Sequence, residues 1–304
     1  MNWFIKSFKK IYLLYCQLYL TDDIFIKRHS KKFLGYKVNL NNPKTLNEKI
    51  QWLKLNDRTP LHTICTDKYL ARNYIAEKVG ADYLIPLVFQ TKDPNQINSE
   101  TLPDYPVIIK TNHDSGGIIV IEDKNQADWK YIRKKLKREL KINFFFPHRQ
   151  WSYKNIERRI VVERFLIDAK KKFPDDIRVH CFNGKPSFIT IDSGRFGNMK
   201  SGMYDLEWNY LDCEWTDPPA TPVEKPEQMD GILELAAKLS ENFIYVRTDF
   251  YIFQNKIYAG ELTFYPCAGW KPFKPEKWDK IFGEMLHLPK EKQKDTSKKS
   301  STLI

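Results

Sequence analysis

From Val246 to Phe264 apolar and polar residues alternate, with one polar break at Gln254-Asn255-Lys256. Period-two alternation on both sides of such a break predicts two antiparallel strands joined by a tight turn. A hairpin centred on Asn255 sets Asp249 opposite Glu261 and Arg247 opposite Thr263. Upstream, Pro106-Val-Ile-Ile-Lys110 is an apolar strand that ends in a lysine. It leads into Thr-Asn-His113-Asp-Ser115-Gly116-Gly117 and then a return strand, Ile118 to Ile121. Arg159-Ile-Val-Val-Glu163-Arg-Phe-Leu166 is a further apolar strand that turns polar at Glu163. The apolar runs on either side of Asn183-Gly184 carry a strong hairpin signal. That hairpin places Arg178 on a strand of the same sheet.

Helical spacing governs the rest. Thr45-x-x-Glu48 is a capping box that opens a helix through Leu55. Leu61 to Val79 has the pattern of a second helix, closed by Gly80. Asp128 to Leu140 is a third, whose Lys/Arg run has the character of a solvated face. Glu227 to Glu241 and Pro275 to Leu286 are later helices, and the proline-rich stretch Thr216–Pro226 is an ordered loop. Met1 to Leu20 carries a stripe of Phe4, Phe8, Ile11, Tyr12, Tyr15, Leu18 and Tyr19, with Lys6, Lys9 and Lys10 off it. Such a helix either packs on the domain or rests on an anionic inner leaflet. Its uncharged run is too short to span a bilayer, and no small-residue cleavage site follows it.

Composition narrows the classes. With 304 residues, 42% of them hydrophobic and 29% charged, the chain can bury a large core. Five scattered cysteines without a C-x-x-C suggest neither a disulfide framework nor a zinc site, and fit a reducing cytoplasm. The net charge is +12, and half of that excess lies at the two ends. A nucleic-acid role for the middle is therefore disfavoured, while ATP or an acidic polymer suits it. The tail 290–304, rich in Lys and Ser, has the composition of a disordered segment.

The facing acids carry the chemistry. Like charges opposite one another across a ladder are destabilising, and a divalent cation between them converts the repulsion into coordination. Mg²⁺ is typically held by one or two carboxylates together with substrate phosphates. The matching phosphate grip is Lys110 with the loop Ser115-Gly116-Gly117, whose backbone N–H groups can approach an anion closely. Arg247 shares the face of Asp249 and suits charge developing in a transition state. Neither a Walker A nor a G-x-G-x-x-G pattern occurs in the chain.

In this order the elements resemble an ATP-grasp ligase. Arg247-Thr-Asp249 and Glu261-Leu-Thr263, followed by Pro266 and Gly269, resemble the R-x-D … E-x-N … P-G block of D-alanine–D-alanine ligases, with Thr263 in place of Asn. Pro43–Ile50, Asp67-Lys68-Tyr69, Lys110-Thr-Asn112-His113, Trp151-Ser-Tyr153, Tyr204–Trp208 and Gly260–Phe264 are similar to the TupA-like ATP-grasp family, from about Tyr36 to about Leu288. The resemblance implies an α+β ATP-grasp fold, with two α+β subdomains gripping ATP between antiparallel sheets after a helical N-terminal region. The expected segments are 1–35 (basic amphipathic helix), 36–104 (helical), 105–166 (ATP lid with the glycine loop), 167–289 (core with the Mg²⁺ site) and 290–304 (tail). By the same resemblance Glu163 and Leu166 mark the adenine pocket, and Arg178 touches phosphate, with His113 a further candidate at the loop. Asp249, Glu261 and Thr263 hold Mg²⁺. Asp192 and Arg195 face the acceptor and join Arg247 as candidate catalytic residues.

The implied activity is an ATP-dependent carboxylate–amine ligase in surface-polysaccharide biosynthesis, acting on a uronic-acid or other acidic saccharide carboxylate and an amine. It would be cytoplasmic, with peripheral membrane contact through Met1–Leu20 as a further expectation. The competing expectations are a glycosyltransferase that uses a nucleotide sugar and a non-catalytic adaptor that keeps the fold.

Overall fold

The alternating segments form two antiparallel sheets in a computed structural model of the chain, which describes residues 19–289 apart from Ala169, Lys171 and Phe196. Most of the amphipathic segment Met1–Leu20 and all of the tail 290–304 therefore lie outside the described residues. The first sheet contains β1 (Leu87–Thr91), β2 (Val107–Thr111), β3 (Ile119–Ile121) and β4 (Ile160–Arg164), ordered β1-β4-β2-β3. The second contains β5 (Asp176–Phe182), β6 (Lys185–Ser193), β7 (Lys200–Tyr204), β8 (Tyr210–Leu211), β9 (Tyr245–Phe253) and β10 (Lys256–Thr263), ordered β10-β9-β5-β6-β7-β8. The helices are α1 (Asp22–Leu34), α2 (Leu46–Asn56), α3 (Pro60–Thr66), α4 (Ala71–Val79), α5 (Trp129–Glu139), α6 (Phe145–His148), α7 (Met229–Ser240) and α8 (Lys277–Met285).

Each sheet has its own hydrophobic core. Val107, Ile109, Ile160 and Val162 of the first sheet pack with Ile132 and Leu136 of α5. Val179, Cys181, Ile189, Val246 and Phe250 of the second pack with Ile232, Leu235, Ala236 and Leu239 of α7. Because side chains alternate along a strand, the other face of β5 and β9 is left to Arg178, Arg247 and Asp249.

The capping box at α2 forms as expected: the Thr45 hydroxyl accepts from the Glu48 amide, and Glu48 accepts from the Thr45 amide. Asn183 and Gly184, both at positive φ (50° and 79°), turn β5 into β6, and on the other side of β5 Arg178 pairs with Asp249 of β9.

Three expectations change. The helix expected over Leu61–Val79 is two helices, α3 and α4. Between them the Asp67 carboxylate accepts from the amides of Tyr69 (2.8 Å) and Leu70 (3.3 Å), a local bond that competes with helix continuation. The region 36–104 is not wholly helical, because β1 is the edge strand of the first sheet. Finally, the turn between β9 and β10 is the pair Gln254-Asn255, at φ 52° and 60°, so it lies half a residue from the expected centre. Tyr258 thus faces Tyr251, and Ala259 faces Phe250. A bulge at Gly260 takes up the difference, and from there Asp249 faces Glu261 and Arg247 faces Thr263 as expected.

Candidate active site

The second sheet turns its polar face toward the glycine loop and the end of β4, and the cleft between them encloses about 610 Å³. Lys110, Ser115, Gly116, Gly117, Glu163 and Leu166 line it from the first sheet and its loops. Arg178, Arg195, Arg247 and Glu261 line it from the second. Residues more than a hundred positions apart in sequence thus share one wall-to-wall space.

At its floor, Arg247 sits among the acids. Its Nε and Nη2 donate to the two carboxylate oxygens of Asp249, each at 2.6 Å. Nη2 also reaches Glu261 Oε1 at 3.5 Å and the Thr263 hydroxyl at 3.2 Å. The repulsion expected between the two facing acids is therefore relieved by a guanidinium from their own ladder. Arg178 approaches Asp249 from β5, at 3.7 Å, and also forms an ion pair with Asp192. Burial pushes the Asp249 carboxyl up to about 6, against the pull of Arg247 and Arg178. Burial also opposes ionisation of Glu261, but Lys68, Arg247, Arg195 and Lys110 together hold its carboxyl down to about 2. Glu261 is thus an ionised acid whose side chain remains 38% exposed to the cleft.

At the rim, Lys110 Nζ lies 2.6 Å from Glu163, and Arg72 of α4 donates to the same carboxylate at 3.0 Å. Glu163 is buried, held between two cations rather than paired with its neighbour Arg164. The glycine loop turns at Gly116, whose φ of 95° favours glycine. Ser115 and Gly116 are exposed.

Other candidates lie deeper. Asp192 is buried on β6, where it accepts from the Ser201 hydroxyl at 2.6 Å and pairs with Arg178; it steadies that arginine from behind the cleft wall. Arg195 lines the cleft, held by Asp176 at 2.8 Å and by the Tyr251 hydroxyl at 3.0 Å. His113 is buried with its Nε2 3.1 Å from the Ile142 carbonyl oxygen, and it is not among the residues lining the cleft. Thr263 reaches the centre only through Arg247 and, at 3.4 Å, Glu261.

Lys68, within the helix expected over Leu61–Val79, was not among the candidate site residues, yet it lines the cleft. The break between α3 and α4 brings it there. Its amide donates to the Asn112 carbonyl, its ammonium to the Asp114 carbonyl, and its charge is the foremost cation acting on Glu261. The juxtaposition of Asp67-Lys68-Tyr69 with Lys110-Thr-Asn112-His113 was the available signal, since both motifs had been singled out. Cys267, at φ 48° just after β10, also lines the cleft and had no sequence signal.

No set of three or more His, Cys, Asp or Glu side chains placed to hold a metal occurs among the described residues. Two carboxylates suit Mg²⁺ when phosphates complete its shell. Glu261, ionised and open to the cleft, fits that role. Both Asp249 oxygens are engaged by Arg247, so a cation would have to share this carboxylate with the guanidinium.

A family model described as TupA-like ATPgrasp matches residues 48–287. Among solved structures, the D-alanine–D-alanine ligase from Helicobacter pylori is similar with a TM-score of 0.45 and 15% identity, covering 80% of this chain and 69% of that one. The D-alanine–D-alanine ligase from Bacillus anthracis complexed with ATP is similar with a TM-score of 0.39 and 17% identity, covering 66% and 55%. The L-amino acid ligase from Bacillus licheniformis is similar with a TM-score of 0.42 and 15% identity, covering 71% and 47%. The chain spans about half the length of the last two. No curated protein matches it.

Proposed function

We propose, starting from the fact that the chain belongs to the TupA-like ATP-grasp family, that it is an ATP-dependent carboxylate–amine ligase. The observation that carries this reading is the convergence of Lys68, Lys110, Arg195 and Arg247 on one ionised acid, Glu261, beneath a glycine turn, with Arg178 lining the same cleft. Such a set binds a polyphosphate and a carboxylate together.

In this reading the acceptor carboxylate oxygen attacks the γ-phosphorus of ATP, the bond to the β-phosphate oxygen breaks, and ADP leaves. The amine then attacks the resulting acyl phosphate at its carbonyl carbon. Phosphate leaves with the bonding pair, the nitrogen gives up a proton to solvent, and an amide remains. Lys110, oriented by Glu163, and Lys68 neutralise phosphate oxygens as point charges. Arg178, braced by Asp192, does so from the facing sheet. Arg247 is placed to stabilise charge on the transferred phosphoryl group and on the tetrahedral adduct. Arg195, fixed by Asp176 and Tyr251, receives the acceptor carboxylate. Glu261 and Asp249 would hold Mg²⁺, which supplies charge neutralisation at the phosphates when bound. Catalysis then rests on positioning and preorganised charge, with no covalent enzyme intermediate. The acceptor class is an acidic saccharide of a surface polysaccharide.

Hydroxylamine traps acyl phosphates as hydroxamates, so it tests the step without knowledge of the amine. The protein with Mg²⁺–ATP, a uronic-acid oligosaccharide and hydroxylamine should give hydroxamate and ADP in equal amounts. Calorimetric binding of UDP-sugars with no binding of ATP would instead favour the glycosyltransferase reading and overturn this one.

A further inference from the structure

The strongest charged feature outside the cleft is α5. Its apolar side, Ile132 and Leu136 with Trp129 and Leu140, is packed on the first sheet. Its outer side carries Lys130, Lys134, Lys137, Arg138 and, just past its end, Lys141, all exposed. Their spacing of three and four residues puts them in one row along the helix. At 1.5 Å per residue the charges step forward by about 4.5–6 Å. None of the five forms an ion pair with an acid among the described residues; the buried Glu139 turns inward toward Lys135. The inner side of α5 abuts the glycine turn, with Lys135 Nζ 3.4 Å from the Ile118 carbonyl oxygen. A Cβ at Gly117 would lie 3.3 Å from the Glu139 carboxylate.

We propose that this row is a docking track for a linear anionic polysaccharide, which holds the polymer beside the cleft that acts on its carboxylates. The proposal rests on the acceptor class named above. Charge complementarity selects the occupant. A membrane-surface helix lays its apolar side into lipid, but here that side is already buried, and only Tyr131 and Ile142 are large exposed apolar side chains beside the row among the described residues. Duplex nucleic acid presents a charge every ~1.7 Å of axis, far denser than the row. A polymer with one carboxylate per sugar ring has charges of the same order of separation as the lysines.

The test is affinity electrophoresis of the full chain in gels containing polygalacturonate, over a range of salt. The wild type should be retarded, and less so as salt rises, because docking releases counterions. The variant K130Q/K134Q/K137Q/K141Q should lose at least tenfold in affinity with an unchanged melting temperature. A control of equal charge, K31Q/K32Q/K238Q/K280Q, should lose less than twofold. Equal losses in the two variants would reduce the effect to net charge and overturn the track. Row-dependent binding that is tighter to oligo(dT), or to phosphatidylglycerol vesicles, than to polygalacturonate would also overturn it. Mg²⁺–ATP binding, measured calorimetrically on the same variants, separates this from the ligase reading. Polymer binding can fail while nucleotide binding stands, and the converse result would sink the ligase reading alone.

Discussion

Arg247 decides what the acid pair is. From the alternation, Asp249 and Glu261 read as two like charges in need of a metal, so losing either should relieve strain. The side-chain geometry reverses this for one of them. Asp249 is 2% exposed and bidentate with a buried arginine, and removing one partner of a buried pair typically costs about 3–5 kcal/mol. Glu261 is 38% exposed and 3.5 Å from the same arginine, the geometry of a weak pair. Asp249→Asn should therefore melt well below the wild type without nucleotide, and Glu261→Gln less far below it, the loss there coming from the cations Lys68, Arg247, Arg195 and Lys110 that the carboxylate no longer neutralises. Both should lose ATP turnover by at least a hundredfold. Parallel thermal melts and ADP-release assays check this; equal and large losses of stability in both would show that Glu261 is structural. Period two supplied which residues share the face. It could not supply the guanidinium's choice between two acids, which depends on side-chain dihedrals and burial rather than on strand spacing.

At the scale of elements, hairpins and caps were legible because their signals are local: Asn183-Gly184 needs positive φ, and Thr45 and Glu48 stand only three positions apart. The break between α3 and α4 was not, because the bonds from the Tyr69 and Leu70 amides to Asp67 override an apolar spacing that continues through it; the edge strand β1 was not, because its pairing is set by β4, far away in sequence. The β9–β10 hairpin lies between these cases. Its tip was misplaced, yet the pair at the site was correct, because Gly260 inserts one residue into β10. A one-residue slip in register would turn Glu261 away from the cleft. Gly260 also admits a neighbour: a Cβ there would lie 2.7 Å from the ring of Tyr251. That tyrosine is buried and bonded to Arg195. Gly260→Ala should thus cost about 1–3 kcal/mol by overpacking and weaken acceptor use more than ATP binding, since the displaced ring serves Arg195. A rise in the acceptor KM with the ATP Kd changed less than twofold would bear this out. An ATP Kd that weakens as much as the acceptor KM would place Tyr251 on the nucleotide side.

The molecule as a whole has a main core on each sheet, with a polar cleft between the sheets and a small apolar cluster of Ile85, Leu166 and Tyr251 linking their sides, and no helix among the described residues is long and apolar enough to cross a membrane. Most of its buried ion pairs lie where the two sheets meet. Lys110, Glu163 and Arg72 brace the first side, while Asp192, Arg178, Asp249 and Arg247 brace the second. The glycine turn between them buries little; Ser115 and Gly116 are exposed, and the bond from the Ile118 amide to the Gly116 carbonyl, 2.9 Å, ties the turn to itself rather than to the second sheet. A ligand whose phosphates touch both sides would add the bonds that the protein alone lacks there. Segments with few buried contacts open most readily and exchange their amide hydrogens fastest. Mg²⁺–ATP should therefore slow exchange at residues 114–118 and at Phe165-Leu166, which line the same cleft. Exchange in β6 and β7, remote from the turn, should change little. The melting temperature should climb with nucleotide concentration, as mass action requires of any ligand that binds only the folded state. Hydrogen exchange followed by mass spectrometry, with and without Mg²⁺–ATP, measures both regions at once. Protection confined to the second sheet, with the turn still exchanging freely, would mean that nucleotide does not bridge the two cores and that Lys110 grips something else.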